Sequence, residues 1–513
     1  MAEAVIADTA AGKIRGAVER GVNIFKGIPY AAPPIGARRF RPPHSVAPWS
    51  GVRDALAYGA RAMQDDNAFA LPPALLKVFV TAEPMPMNED CLFLNVWTPA
   101  LSDGRKRPVM FWCHGGAFIA GSGSSPWYDG TNLAAKGDVV VVTINHRLGA
   151  FGYLHLEDIA GREFESAGVA GMLDIVAALK WVRDNIANFG GDPDNVTIFG
   201  ESGGGAKVCV LMAMPEARGL FHKAIIQSGP AVEMASRADA SETARQLLGE
   251  LGLSPSQTAE LRSISAERLA QAQAAVLKKV SMMSFANRRR IGFNPVVDET
   301  HLPQGPFAPA APAISAGIPL MIGTNKDEMT LFFGLAPWLE AMDEAAMHSR
   351  VAMFVGAERA PAIIAAYRKA RPSDAPRDIV LAIATDQAMR IPSLVIADRK
   401  VAQAAAPVFV YMFTWETPVL EGKLKSPHAL EIPFVFDTLH TSKLAGDSPA
   451  RFPLSEKMSK AWLAFARNGD PNHSGLPRWP TYDVERRPTM MFSEQCRIED
   501  DPFRAERLAW SCD

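Results

Sequence analysis

The chain is 513 residues long, 48% of them apolar, and carries a formal net charge of −2. That balance argues against nucleic acid as a partner, which needs a basic face; the short basic run Arg288-Arg289-Arg290 reads as a solvated helix end. The five cysteines stand at no metal-ligand spacing, and no stretch of about 18 uninterrupted apolar residues points to a membrane span.

In chain order, Met1 to Ile6 lacks a basic region followed by an apolar core, so no secretory signal is expected. An odd, sparse cysteine count fits a reducing compartment, and the default location is the cytoplasm. Residues 1–60, rich in Gly, Pro and β-formers, predict a small leading sheet. Short, nearly continuously apolar runs follow at 108–113, 139–144, 196–199, 224–226, 319–322 and 408–413. Such runs suit strands buried on both faces of a parallel sheet. Between them, 171–188 has Leu173, Val176, Leu179, Val182 and Ile186 at helical spacing, stopped by Gly190-Gly191-Asp192-Pro193. Cys113 and Cys209 lie in apolar runs and read as small core residues. Residues 232–290 and 335–405 read as Ala-rich helical insertions forming a cap. Strands alternating with helices predict an α/β architecture: a large, mostly parallel central sheet flanked by helices. With no repeat and no low-complexity linker, 1–513 is read as one domain.

The chemistry centres on Gly200-Glu201-Ser202-Gly203-Gly204, a G-x-S-x-G pattern. It follows the strand at 196–199 and precedes the apolar stretch 208–212, the strand–turn–helix context of a nucleophile elbow in the α/β-hydrolase fold. A turn this tight strains the serine backbone and demands small neighbours. The helix beginning there turns its N–H groups toward the serine. An earlier strand runs into His114-Gly115-Gly116-Ala117-Phe118. Backbone N–H donors must meet the oxyanion of acyl transfer, and Gly116, Ala117 and Gly203 are the expected donors. His114 is assigned to ordering this loop.

Serine needs a histidine base, and in this fold the order is Ser, acid, His. His428, in Ser426-Pro427-His428-Ala429-Leu430-Glu431 after the strand at 408–413, is the favoured base, with His440 its closest competitor. The strand at 319–322 leads into Asn325-Lys326-Asp327-Glu328; either carboxylate there suits the acid.

Beyond this point the chain resembles the type-B carboxylesterase family, whose members include cholinesterases and bacterial para-nitrobenzyl esterases. The resemblance rests on Phe25-Lys26-Gly27-Ile28-Pro29-Tyr30-Ala31, Glu89-Asp90-Cys91-Leu92-Phe93-Leu94-Asn95, Asn145-His146-Arg147-Leu148-Gly149, Phe189-Gly190-Gly191-Asp192-Pro193 and the elbow. It implies Glu328 as acid and His428 as base. It places Glu201 and Ser228 as supporting groups beside the triad, and Arg39 and Glu89 as a structural ion pair. Phe118, Leu331 and Phe332 are the expected lining of an apolar acyl pocket.

There are departures. Relatives usually carry alanine where this chain has Gly203, and glycine where it has Met329, which is expected to reshape the gorge. The cysteine that often pairs with the equivalent of Cys91 is missing from Arg61-Ala62-Met63-Gln64, and residues 62–88 lack the choline-binding tryptophan. The expected activity is hydrolysis of short-chain alkyl or aryl carboxylic esters through an acyl-enzyme, with no metal or organic cofactor. The expected partner is a small ester substrate, and the expected state a monomer or weak homo-oligomer. Amide or carbamate hydrolysis on the same triad is the alternative. A non-catalytic adhesion role conflicts with a filled triad, and Gly446-Asp447-Ser448 reads as loop rather than as a GDSL-type nucleophile.

Overall fold

The computed structural model describes residues 4–69, 71–79, 85–287 and 292–511; the expectations for residues 288–290 and for Cys512 lie outside them. The chain divides into two compact units. One comprises Met1–Phe69, Ala82–Ile225 and Ala231–Ile318, the other Ala70–Thr81, Ile226–Pro230 and Pro319–Asp513.

The first unit opens with β1 (Ala4–Thr9), β2 (Gly12–Glu19), β3 (Val22–Pro29) and β4 (Val52–Asp54). Then come β5 (Phe93–Thr98), β6 (Arg107–Cys113), β7 (Val140–Ile144), β8 (Gly191–Glu201) and β9 (Lys223–Gln227), whose last two residues belong to the second unit. The spatial order is β1-β2-β3-β5-β7-β6-β8-β9, with β4 beside β2. Pairing is antiparallel from β1 through β7 and parallel across β7, β6 and β8. Every residue of β6 and β7 is buried, which is why both read as mostly apolar runs, broken only by Arg107 and Thr143. The helix Ala170–Asn185 buries Leu173, Val176, Leu179 and Val182, and then tightens into a 3-10 turn that closes on left-handed Gly190. Residues 232–290 hold the helices Arg237–Leu251, capped by the Ser236 side chain, and Ala266–Asn287.

In the second unit, β10 (Leu320–Asn325), β11 (Val408–Phe413) and β12 (Pro488–Phe492) run parallel, and β13 (Arg497–Asp500) pairs antiparallel with β12. The helices Glu344–Val355, Ala360–Ala370 and Pro376–Thr385 share an apolar cluster around Met347, Val351, Ile363, Tyr367 and Ile383. Pro376–Val401 has the length and apolarity of a membrane-crossing helix, mean hydropathy 1.5. Within it, however, Asp386 and Arg390 are paired with each other and buried, and Tyr367 donates to Asp386. Charges paired inside protein are what a core helix of this unit shows.

Candidate active site

The candidate residues fall into two assemblies, one in each unit. In the first, β8 ends at Glu201 and the helix Gly203–Ala213 begins one residue later, with Ser202 at the junction. Ser202 has φ 57° and ψ −123°, a region that L-residues avoid and that surrounding structure must enforce. The elbow presses against the end of β6: a Cβ on Gly204 would sit 2.0 Å from the Cys113 carbonyl oxygen, so only glycine fits there. Glu201 is buried, with one carboxylate oxygen 3.0 Å from where a Gly115 Cβ would lie.

The loop after β6 carries Gly116 at φ 87° and Ala117 at φ 51°. The Gly116 carbonyl accepts from the N–H groups of Ile119 (3.2 Å) and Ala120 (3.0 Å), which closes the loop as a compact turn. His114 is buried; its Nδ1 meets the Gly115 carbonyl at 2.8 Å and its ring stacks on His146 at 4.8 Å. Burial, then the charge of Lys207, holds the His114 imidazole down to about 3, so it is neutral and donates from Nδ1. Phe118 is buried with its ring edge-on to Tyr153 at 5.2 Å. Arg39 and Glu89 form a two-pronged ion pair, and Arg39 also donates to the carbonyls of Leu261 (2.6 Å) and Ile264 (2.7 Å).

In the second unit, β10 delivers Glu328 and the loop after β11 delivers His428. The His428 Nδ1 donates to Glu328 Oε2 at 2.6 Å, with both side chains buried. The other Glu328 oxygen accepts from the Asn325 backbone N–H at 2.7 Å. The Asn325 amide donates to the Pro427 carbonyl (2.7 Å) and to Glu431 (2.8 Å), so it holds the two loops together. Glu431 also accepts from Gln227 at 3.1 Å, and Trp462 donates to Gln227 at 2.9 Å. Burial first, then the Glu328 charge, raises the Glu431 carboxyl above its usual range.

The competing residues have other partners. Asp327 accepts from the Ser426 N–H at 3.3 Å, and its own N–H donates to the Ser426 carbonyl at 3.0 Å. His440 lies exposed on the turn Leu439–Thr441. Ser228 is buried at φ 46°, its N–H bonded to the Gly323 carbonyl at 2.8 Å. Phe332 places its ring 5.3 Å from the His428 ring. Leu331 is buried in the turn Thr330–Phe333, and Met329 packs against the helical cluster and donates its N–H to Thr385 at 3.2 Å. Sequence reasoning passed over Lys207, Asn325 and Glu431. The available signal for Lys207 was a lone cation opening the otherwise apolar stretch 208–213.

Comparison with known proteins bears on this geometry. The carboxylesterase family model matches residues 3–510. The chain belongs to the carboxylesterase family. Among its relatives, the para-nitrobenzyl esterase of Bacillus subtilis is 38% identical, covering 98% of this chain and 97% of the relative. The phenmedipham hydrolase of Pseudarthrobacter oxydans is 36% identical over 94% and 93%. A solved carboxylesterase of Geobacillus stearothermophilus superposes with a TM-score of 0.85 at 43% identity, covering 98% and 99% of the two chains. The architecture is therefore the α/β-hydrolase fold, and this carboxylesterase is a carboxylic ester hydrolase.

Proposed function

We propose that Ser202 is the nucleophile, His428 the general base and Glu328 the acid that orients it, and that Gly116, Ala117 and Gly203 supply the oxyanion donors. The observation that carries this reading is the enforced backbone of Ser202 at the mouth of a helix, the arrangement that exposes a serine hydroxyl beside backbone N–H groups. His428 takes the proton as Ser202 attacks the ester carbonyl, and the tetrahedral oxyanion is met by the three N–H groups. The imidazolium returns the proton to the departing alcohol. Water, activated by the same histidine, then releases the acid. Glu328 keeps Nδ1–H on the far side of the ring, so that Nε2 is the atom that accepts the serine proton. The Asn325 backbone N–H holds that carboxylate in place, and Glu431 holds the Asn325 amide. Glu201 and Ser228 act as supporting groups.

The substrate class proposed is short alkyl or aryl esters. The aromatic ring of Phe332 beside the base supports it, as does similarity to an enzyme named for para-nitrobenzyl esters; Phe118 and Leu331 complete the apolar lining. The free thiols of Cys91, Cys113 and Cys496 support a cytoplasmic location, with the protein acting as a monomer or weak homo-oligomer. Initial rates on p-nitrophenyl butyrate test the assignment. Ser202→Ala and His428→Gln remove nearly all turnover in folded protein, while His440→Gln leaves it intact. An active Ser202→Ala variant, or the reverse ranking of the two histidines, rejects it. Comparing an aryl ester with its anilide separates esterase from amidase.

A further inference from the structure

Lys207 lies one turn into the helix that starts at the elbow, among Val208, Cys209, Val210 and Leu211, and is fully buried with them. Its ammonium donates to the carbonyl of His114 at 3.0 Å and to the carbonyl of Ala117 at 2.7 Å, and stands 5.3 Å from the centre of the Phe118 ring. These two carbonyls belong to the peptide links on either side of those carrying the Gly116 and Ala117 N–H groups. We propose that Lys207 is a positioning residue for ester hydrolysis, clamping both ends of the oxyanion loop to the helix of the nucleophile. This rests on the assignment of Ser202, Gly116 and Ala117 made above.

Three features support it. Removing an ammonium from water costs several kcal/mol, so an apolar side chain would serve simple packing better at this depth. The bonds that offset the cost are charge-assisted ones to loop carbonyls. Ala117 sits at φ 51°, a strained conformation for a residue with a Cβ, and the Lys207 bond to its carbonyl opposes its relaxation. Burial pushes the amine down to about 7, while Cys113 and Glu201 favour its charged form. The neighbouring imidazoles of His114 and His146 are held neutral, so they add no competing cation.

The test compares K207M with K207Q by kcat and KM on p-nitrophenyl butyrate. It also measures affinity for an alkyl trifluoromethyl ketone, whose adduct with serine bears an oxyanion. Loosening a donor loop costs less than deleting a donor, so K207M is expected to lower kcat about 10–100-fold with KM nearly unchanged. Ketone affinity is expected to fall by the same factor. K207Q keeps N–H donors and is expected to lose only about 3–10-fold in both quantities. Folded K207M with both values unchanged, or with kcat lowered and ketone affinity intact, overturns the proposal. If K207M does not fold, K207Q decides by the same matched drop or its absence. A wild-type enzyme that does not bind the ketone, together with an active Ser202→Ala variant, instead overturns the nucleophile assignment.

Discussion

Gly203 stands where the family resemblance implies an alanine, and Gly203→Ala is nevertheless expected to damage the enzyme. An added Cβ would lie 2.3 Å from the Cα and carbonyl oxygen of Ala117 and 2.4 Å from its nitrogen. Ordinary contact begins near 3.4 Å, so the loop proposed to hold the oxyanion must withdraw by about an ångström. The obstructing atoms are backbone, and no rotamer change removes them. Overpacking of this kind costs roughly 1–3 kcal/mol of stability, and displacement of reacting groups by about 1 Å costs about 10² in rate. Withdrawal also stretches the 2.7 Å bond from Lys207 to the Ala117 carbonyl. The assay is kcat on p-nitrophenyl butyrate beside a thermal melt, with Gly249→Ala as control. Gly249 lies in a helix with nothing within 4 Å of its would-be Cβ, and alanine there is expected to stabilise by about 1 kcal/mol without touching rate. A Gly203→Ala enzyme with wild-type kcat and melting temperature refutes the reasoning.

Other expectations follow from the same contacts. Glu328→Gln keeps the shape but loses the charge facing His428 Nδ1, and kcat is expected to fall by about 10³–10⁴ with the fold intact; single-turnover kinetics read it. Arg39→Ala strands Glu89 and leaves the Leu261 and Ile264 carbonyls without their guanidinium donor, a loss of roughly 3–5 kcal/mol visible in urea unfolding. His114 has a folded pKa of about 3, below the 6.5 of the free side chain. The unfolded chain therefore binds its proton first, and stability is lost as pH falls from 6.5 toward 3, by as much as about 5 kcal/mol. His114→Asn should flatten the pH dependence of the urea midpoint over that window; an unchanged slope contradicts the burial argument.

The elements that carry the site were the most legible ones. The strand at 408–413 was readable residue for residue, because a parallel strand with both faces covered leaves an unbroken apolar run. By contrast β12 begins with proline and carries two methionines, a composition without a strand signature. β5 carried family-signature residues but announced no strand. The proposed nucleophile stands out in the sequence because strained turns restrict residue type, and the glycines advertise it. The proposed acid and base were not separable from their neighbours by spacing, since Asp327 adjoins Glu328 and His440 follows His428 closely. Their separation is tertiary: Asp327 is committed to the 426 backbone and His440 to a surface turn, which no local pattern encodes. Lys207 escaped for a similar reason, because its acceptors are carbonyls some ninety residues away.

The most direct trial of the central claim is peptide mapping after reaction with a fluorophosphonate, following label uptake and esterase activity in the same sample. One adduct per chain at Ser202, formed in step with the loss of activity and absent from Ser202→Ala, is the expected result. An adduct on another residue, or full activity after Ser202 is fully labelled, contradicts the claim.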